Sequence, residues 1–570
     1  MTQRFNTMKA RTMITKTLMV KKNATINGNI QATGATITGN LQVDGVIIPN
    51  DMAPATTAGA RQVLAYQKRV QCTLNEYKIP LPLHPNNGDE TLYSNYIGNY
   101  SKGLPHNSLG EVDPTAYQSL LTAVTTGNAS DFDGIIMGNT HAKLTNPQGG
   151  LAFDLEGADS WALYMPPPPA LASAERAANA VEDYWAALLR DVNFADYGTG
   201  IGTDSAGLST MACMELSRLS GYNGPKIDGV VTPATLFRSN IPGSVGGPYI
   251  SQFSYLACPF GATSINQQIK TIDPVATQIA SGLPTADFGT VYSEWLNIQN
   301  GAAPTHSLVF DSTLRYIRNG RDLAQNVHLD VLCQAFYQAM LILFTFCPYN
   351  VGNPYNNSAN QTGFGLFGQP HISGLLPEGC YRALNKQWYE KWFVHRCLRP
   401  EEFGGLVHNT LTNAATYPLH PDVLTSMAVQ KVFQQTGTYL LPQAYPEYCP
   451  YHPSYGSGHA TVSGFAVTIL KAFFNGNTVI PNPMEPSADG TTLNPYSGPP
   501  LTVTGELNKL AYNVACGRCH AGIHYRSDSD NSLLLGETWA ISVLRDQHNL
   551  YNENFAGFTF QKFDGTTITV

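Results

Sequence analysis

The chain has 570 residues, a hydrophobic content of 43%, a charged content of 13% and a formal net charge of -8. That length and apolar share belong to an ordered protein with several packed cores, not to a disordered one. The acidic balance excludes a general nucleic-acid binder, so any anion site must be a local cluster of cations set against the overall field.

Met1 to Lys22 is basic, but polar residues interrupt it before an apolar core of secretory-signal length can form. With no membrane-spanning run either, the chain reads as cytoplasmic or particle-associated. Ala24–Gly34 (ATINGNIQATG) and Ala35–Gly45 (ATITGNLQVDG) are two copies of an 11-residue unit with alternating apolar positions and glycines at the corners. Such a period suggests short stacked strands, as in a β-solenoid or an oligomeric stalk, or a simple β-meander. Two copies are too few for a stable solenoid, so this arm, residues 1–50, should bury a face on the body or on another subunit. Residues 51–150 read as an extension packing on a helical domain that spans residues 151–555.

From about residue 150 the periodicity is helical. It predicts helices over Ala170–Leu189, Ala324–Phe346, Ala383–Leu398, Val423–Gln434, Gly458–Phe474, Gly505–Cys519 and Ser529–Arg545. The most apolar run, Val331–Phe346, contains Gln334 and Gln338 and falls short of the roughly 18 residues a bilayer requires, so it reads as a buried helix. Pro348–Pro370 is a Gly/Asn/Pro-rich loop. Ten cysteines are too few for a disulfide scaffold, and Cys516 and Cys519 form a lone C-x-x-C that reads as buried helical thiols. Residues 556–570 alternate around Asp564-Gly565, a hairpin signal. The fold class is therefore all-α: a helical-bundle body with a small β-rich N-terminal arm and a C-terminal β-hairpin.

Three segments supply groups suited to a tetrahedral oxyanion. In Lys391-WFVHRCL-Arg399-Pro400 the proline stops the helix, because the residue before it avoids the α region, and Arg399 sits at the bend. In His452-PSYGSGHA, Ser457-Gly458 opens an apolar helix whose N-terminus presents free N–H groups, and His459 can exchange protons near neutral pH. In Arg518-CHAGI-His524-YRS-Asp528, Gly522 ends one helix and Ser527-Asp528 begins the next, placing Arg518 and His524 on either side of a corner. Each segment alone also suits an ordinary helix end with a solvated or structural side chain.

Together, in this order, they resemble the signature shared by vanadium haloperoxidases, type 2 phosphatidic-acid phosphatases and bacterial class A acid phosphatases. The resemblance to algal bromoperoxidases goes further. It includes FDLEGAD (Phe153–Asp159), YWAALLRDV (Tyr184–Val192), LFRSNIPGSVGGPYISQF (Leu236–Phe253), GELNKLA (Gly505–Ala511), KWFVHRCLRPEEFGG (Lys391–Gly405) and GIHYRSD (Gly522–Asp528). It runs from about Leu151 to Glu537 and leaves out the N-terminal repeat.

The resemblance implies a vanadate cofactor and oxidation of bromide and iodide by hydrogen peroxide, giving hypohalous acid that halogenates small organic nucleophiles. By position it assigns Lys391, Arg399 and Arg518, the Ser457 hydroxyl and the Gly458 N–H to the equatorial vanadate oxygens. His524 becomes the axial vanadium ligand. His459 bonds the apical hydroxide and serves as acid-base, with Lys391 and His452 also in the catalytic set. His452, seven residues before His459, marks the bromide-oxidising group, since the fungal chloride-oxidising group carries an aromatic residue there. As a second titratable imidazole, His452 would alter peroxide activation and halide approach through its charge state over pH 5–8. Asp330, placed on the helix from Ala324, is the candidate to neutralise an arginine from behind. Structural calcium, which red-lineage relatives carry, is disfavoured because Val351–Ile372 holds no Asp or Glu. The resemblance also implies a homo-oligomer, a dimer or a larger assembly built on dimers. Two alternatives share the motifs or the repeat: an acid phosphatase and an inactive structural particle protein. Seven residues between Lys391 and Arg399, where the phosphatase pattern has six, favour the peroxidase.

Overall fold

The computed structural model describes residues 61–570 in full. Before them it describes only the backbone of six strands and of the first turn of the helix Ala58–Tyr77. The chain forms two compact units, Met1–Pro80 with Asn549–Asn552, and Leu81–His548 with Glu553–Val570.

In the first unit Thr2–Phe5, Thr12–Val20, Asn29–Ile37 and Ile47–Pro49 form one parallel sheet in that order, and Ala24–Ile26 pairs with Leu41–Val43, also in parallel. Parallel neighbours cannot be joined by a tight hairpin, so the arm is not a meander. Across the repeat, paired strands are offset by 17 residues (Thr12 to Asn29, Ala24 to Leu41, Ile30 to Ile47), and by 15 in the first pair (Thr2 to Thr17), not by the 11 of the sequence repeat. The difference arises because each rung contains a long strand of one ladder and a short strand of the other before the chain returns. The corner glycines Gly28, Gly39 and Gly45 lie outside the described residues.

The second unit is helical. Seven helices build its site: α1 (Gly320–Asn326), α2 (Gln334–Phe346), α3 (Gln369–Tyr389), α4 (Pro400–Leu411), α5 (Gly458–Phe473), α6 (Val503–His520) and α7 (Arg526–Leu550). Helix α5 is central: each of its residues except His459 is buried. At two places its packing against α7 leaves no room for a side chain. A Cβ at Gly464 would lie 2.1 Å from the Leu533 carbonyl oxygen, and one at Gly536 would lie 2.1 Å from that of Thr461. Residues 81–150 also belong to this unit, with Tyr100, Leu104 and Tyr117 packed in one core with Trp392.

Two expected helices break. Ala324–Phe346 divides into α1 and α2, because the intervening loop bonds elsewhere: the Val327 carbonyl accepts from Arg518, His328 pairs with Glu447, and Asp330 pairs with His459. Asp330 is therefore on a loop, not on the helix from Ala324. Val423–Gln434 divides into Pro421–Leu424 and Met427–Thr436, the second capped by the Ser426 hydroxyl. Ala383–Leu398 begins earlier, at Gln369, and its end widens into a π-turn, Glu390–His395. The C-terminal hairpin pairs Thr559–Gln561 with Thr567–Thr569, with Gly565 at φ +83 in the turn. Among the described residues no helix is long and apolar enough to cross a membrane.

Candidate functional site

The three predicted segments meet at the N-terminus of α5. Ser457 is its N-cap, and the hydroxyl accepts from the Ala460 N–H at 3.3 Å. The remaining first-turn N–H groups have no intrahelical acceptor and give that end a partial positive charge. Gly458 leaves little room beside Trp388, whose ring carbon would be 3.1 Å from an added Cβ.

Lys391 reaches this end from the π-turn that prolongs α3. Its Nζ donates to the carbonyls of Pro453 (2.6 Å) and Ser454 (2.8 Å) and is completely buried. Arg399 is the N-cap of α4, also completely buried; its Nε donates to the His452 carbonyl (2.8 Å) and its Nη1 to that of Ile523 (2.8 Å). Arg518, in the last turn of α6, donates to the Val327 carbonyl and leaves its Nε without a partner.

Charge pairing separates these three cations from most others in the body. Arg190 and Arg321 share Asp287, Arg382 and Lys386 share Asp154, Arg526 binds Glu182, and Lys102 binds Glu401. Arg176 and Arg238 lack a carboxylate but stand singly over tyrosine rings. Among the described residues no carboxylate lies within ion-pair distance of Lys391, Arg399 or Arg518, and the three are gathered at one helix N-terminus. Burying unpaired charge costs several kcal/mol, so such a group calls for an anion. Burial first, and then the neighbouring Arg399, hold the Lys391 ammonium well below the ordinary lysine range.

His524 supplies a different function. Its Nδ1 lies 2.8 Å from Asp528 Oδ2 and its Nε2 lies 3.0 Å from Arg399 Nη1. The carboxylate accepts, so Nδ1 carries the proton, and Nε2 presents its lone pair to the cation cluster. Burial, then Arg399 and Lys391, push its pKa well below the usual value and keep the imidazole neutral. A carboxylate-oriented neutral imidazole is the arrangement metal-binding histidines use. Sequence reasoning treated Asp528 only as a helix start; the H-x3-D spacing of one helical turn was the available signal.

His459 is the open member of the group. Its Nε2 lies 2.9 Å from Asp330 Oδ1, and the side chains are 14% and 17% exposed. Burial and Arg518 lower the pKa of His459 while Asp330 pulls the other way. Asp330 thus meets His459; it forms no direct ion pair with an arginine among the described residues, although Arg518 also favours its carboxylate. Against its own burial, His459 holds the Asp330 carboxyl below the usual range.

His452 is present as expected, but its charge behaviour differs. It is buried, packs at 4.8 Å on the Trp388 ring, and has Nδ1 2.8 Å from Arg399 Nη2. Burial, then Lys391 and Arg399, push its pKa well below the usual value, which favours the neutral imidazole beside these cations. Behind Arg399, Glu402 accepts from the backbone N–H groups of Arg399 (2.6 Å), Ser101 (2.7 Å) and Lys102 (3.0 Å), fixing the bend from the far side. Cys516 and Cys519 lie along α6 away from any ligand set, and burial pushes the Cys516 thiol up to about 12.

Residues 429–553 match a family model described as the VCPO second helical-bundle domain. The chain is 36% identical to a vanadium-dependent bromoperoxidase of Ascophyllum nodosum over 510 residues, covering 85% of this chain and 87% of that protein. It is 34% identical to a vanadium-dependent bromoperoxidase of Corallina officinalis, covering 85% and 94%. The solved homohexameric structure of the second vanadate-dependent bromoperoxidase from Ascophyllum nodosum superposes with a TM-score of 0.83 at 31% identity, covering 92% of this chain and 93% of that one.

Proposed function

Because the chain belongs to the vanadium-dependent bromoperoxidases, we propose that it oxidises bromide, and iodide, with hydrogen peroxide and that the cation cluster holds vanadate. The observation that carries this reading is the set of three buried cations without a carboxylate, facing a neutral imidazole lone pair. The donor set fits vanadate: an oxyanion needs positive charge and N–H donors, and a vanadium centre accepts a nitrogen lone pair. When bound, vanadate supplies a Lewis acid that polarises hydrogen peroxide for attack by halide without changing oxidation state.

The chain's own residues do the rest. Lys391, Arg399 and Arg518, with the Ser457 hydroxyl and the Gly458 N–H, bind and orient the anion's oxygens. His524 Nε2 would hold the vanadium centre through its lone pair, and Asp528 would hold the tautomer. His459, stabilised in its protonated form by Asp330, moves a proton at the solvent-facing side. His452, packed on Trp388 and hydrogen-bonded to Arg399, contributes to catalysis as a hydrogen-bonding wall of the pocket. The overall reaction consumes bromide, hydrogen peroxide and a proton and yields hypobromous acid and water; the acid then halogenates small organic nucleophiles.

Bromination of a phenol dye by the vanadate-loaded protein, dependent on both bromide and peroxide, tests the function. Hydrolysis of a phosphate monoester in place of bromination would overturn it. The parallel ladder of residues 1–50 offers edges for pairing, and we assign it to assembly of a homo-oligomer. Light scattering should give a multiple of the chain mass, reduced when residues 1–48 are removed; an unchanged mass would relieve the arm of that role.

A further inference from the structure

We propose that the groove beside His459 and Asp330 conducts hypohalous acid outward and is where the organic acceptor meets it, an inference that rests on the bromoperoxidase reading. The groove has a volume of about 430 Å³. It reaches the cation cluster at Asp330, 2.9 Å from His459, and at Val327, whose carbonyl accepts from Arg518. This is the open side of the site: Lys391, Arg399 and Ser457 are sealed, whereas His459 and Asp330 are partly exposed.

The chemistry of the walls carries the inference. Hypohalous acid attacks electron-rich side chains, first thioethers and thiols, then imidazoles, indoles, phenols and free amines. A carboxamide resists because its nitrogen lone pair is delocalised into the carbonyl, as in a peptide bond. Among the described residues that wall the groove, none is Met, Cys, His, Tyr or Trp. Most polar positions are instead carboxamides, among them Asn266, Gln325, Asn326, Gln334 and Gln338, with Ser254, Lys270 and Asp330 the others. Lys270, as an ammonium, has no free lone pair, and Phe253 is an unactivated ring. Apart from the His459 imidazole at the mouth, the oxidisable residues around the site, Trp388, Tyr445 and Cys449, pack against or behind the buried cations and do not wall the groove. Burial keeps the Cys449 thiol far above the usual range, away from the reactive thiolate.

The same walls describe the acceptor. Gln334 and Gln338 stand one turn apart on α2, and neither side chain forms a hydrogen bond among the described residues. Leu329, 83% exposed, and Ile265, 47% exposed, give an apolar shelf at the rim. A small neutral molecule fits, with an apolar ring or alkene on the shelf and a hydroxyl or carbonyl on the amides. For an aromatic acceptor, C–H and hypobromous acid become C–Br and water.

Replacing Gln338 or Gln334 with Met places a thioether of similar length in the wall, and Met is a good helix former. The vanadate-loaded variant is given bromide and hydrogen peroxide with excess N-acetylmethionine in bulk, and sulfoxide is mapped by mass spectrometry. Met214, 58% exposed and outside the groove, reports on oxidant in bulk. Sulfoxide should exceed that at Met214 severalfold at the substituted position during turnover. It should be absent without bromide, and the excess should disappear when hypobromous acid is added from outside. Gln334→Met serves if Gln338→Met does not fold. Bromination of a dye with equal oxidation at both positions, or with equal protection by the scavenger, would overturn the groove alone; no bromination would overturn the function on which it rests.

Discussion

Replacing Asp528 with Asn tests whether a carboxylate sets the working face of His524. Asp528 Oδ2 accepts from His524 Nδ1 (2.8 Å), Ser454 Oγ (2.5 Å) and the Tyr525 N–H (3.2 Å), while Oδ1 has no partner. An asparagine oxygen in the place of Oδ2 keeps three acceptor contacts, but each loses its charge assistance and roughly half its strength. The amide NH2 then occupies the Oδ1 position, where nothing accepts, at a cost of about 1–3 kcal/mol. Against this, burial raises the Asp528 pKa, so neutralising the side chain also relieves a desolvation cost. The fold should therefore survive D528N. The loss should appear in the cofactor: removing such an outer partner weakens metal binding about 10–100-fold, or about 1.4–2.7 kcal/mol. Equilibrium dialysis with vanadate, alongside thermal unfolding, reads both quantities. Unchanged vanadate affinity in a folded D528N protein would show that the carboxylate does not fix the imidazole.

Lys391→Met should abolish the stabilisation vanadate gives, about 2.7 kcal/mol in wild type at a hundred times Kd, as thermal shift would show. Unloaded, it should stay within about 1 kcal/mol of wild type, because relief of like-charge repulsion offsets two carbonyls left without a donor. His520 has its pKa lowered to about 3 by burial and then by Arg190. A lowered folded value means that stability is present above the unfolded value of about 6.5 and is lost as pH falls toward 3, at about 1.4 kcal/mol per pH unit. His520→Phe should therefore move the acid-unfolding midpoint, followed by circular dichroism, to lower pH; an unmoved midpoint would acquit His520. Gly536→Ala, with its Cβ 2.1 Å from the Thr461 carbonyl, should cost about 1–3 kcal/mol or more and weaken vanadate binding through displacement of α5. A normal melting temperature would mean that the helices can separate freely there.

The helical class and the cation cluster were legible because both are written locally: apolar periodicity marks α5 and α6, and Ser457, Pro400 and Gly522 mark the chain ends where the cations gather. What stayed hidden depends on partners far away in the chain. Nothing in Ala324–Phe346 announces that Val327 and Asp330 are claimed by Arg518 and His459, so the apolar run read as one helix although the loop wins. The same distance hid the tautomer of His524 and the charge state of His452. His452 looks like any titratable imidazole until Lys391 and Arg399 are placed beside it. The 17-residue rung of the arm was masked by an 11-residue similarity because a repeat in sequence need not coincide with a turn of the backbone.

Function in this chain is visible as a failure of pairing. Most buried cations of the body have a carboxylate, as the shared Asp287 and Asp154 show. Among the described residues Lys391, Arg399 and Arg518 have none, and α5 turns its positive end toward them as well. Packing alone does not demand this, because apolar side chains of similar volume would fill the same space at lower cost. An acidic protein that gathers three basic side chains in its interior without a carboxylate among the described residues stores an unfavourable field that a bound anion would relieve. On the proposed reading that field would select for negative charge, the Nε2 lone pair of His524 would select among anions for one with a metal centre, and the partly exposed His459–Asp330 pair would leave one side open for chemistry.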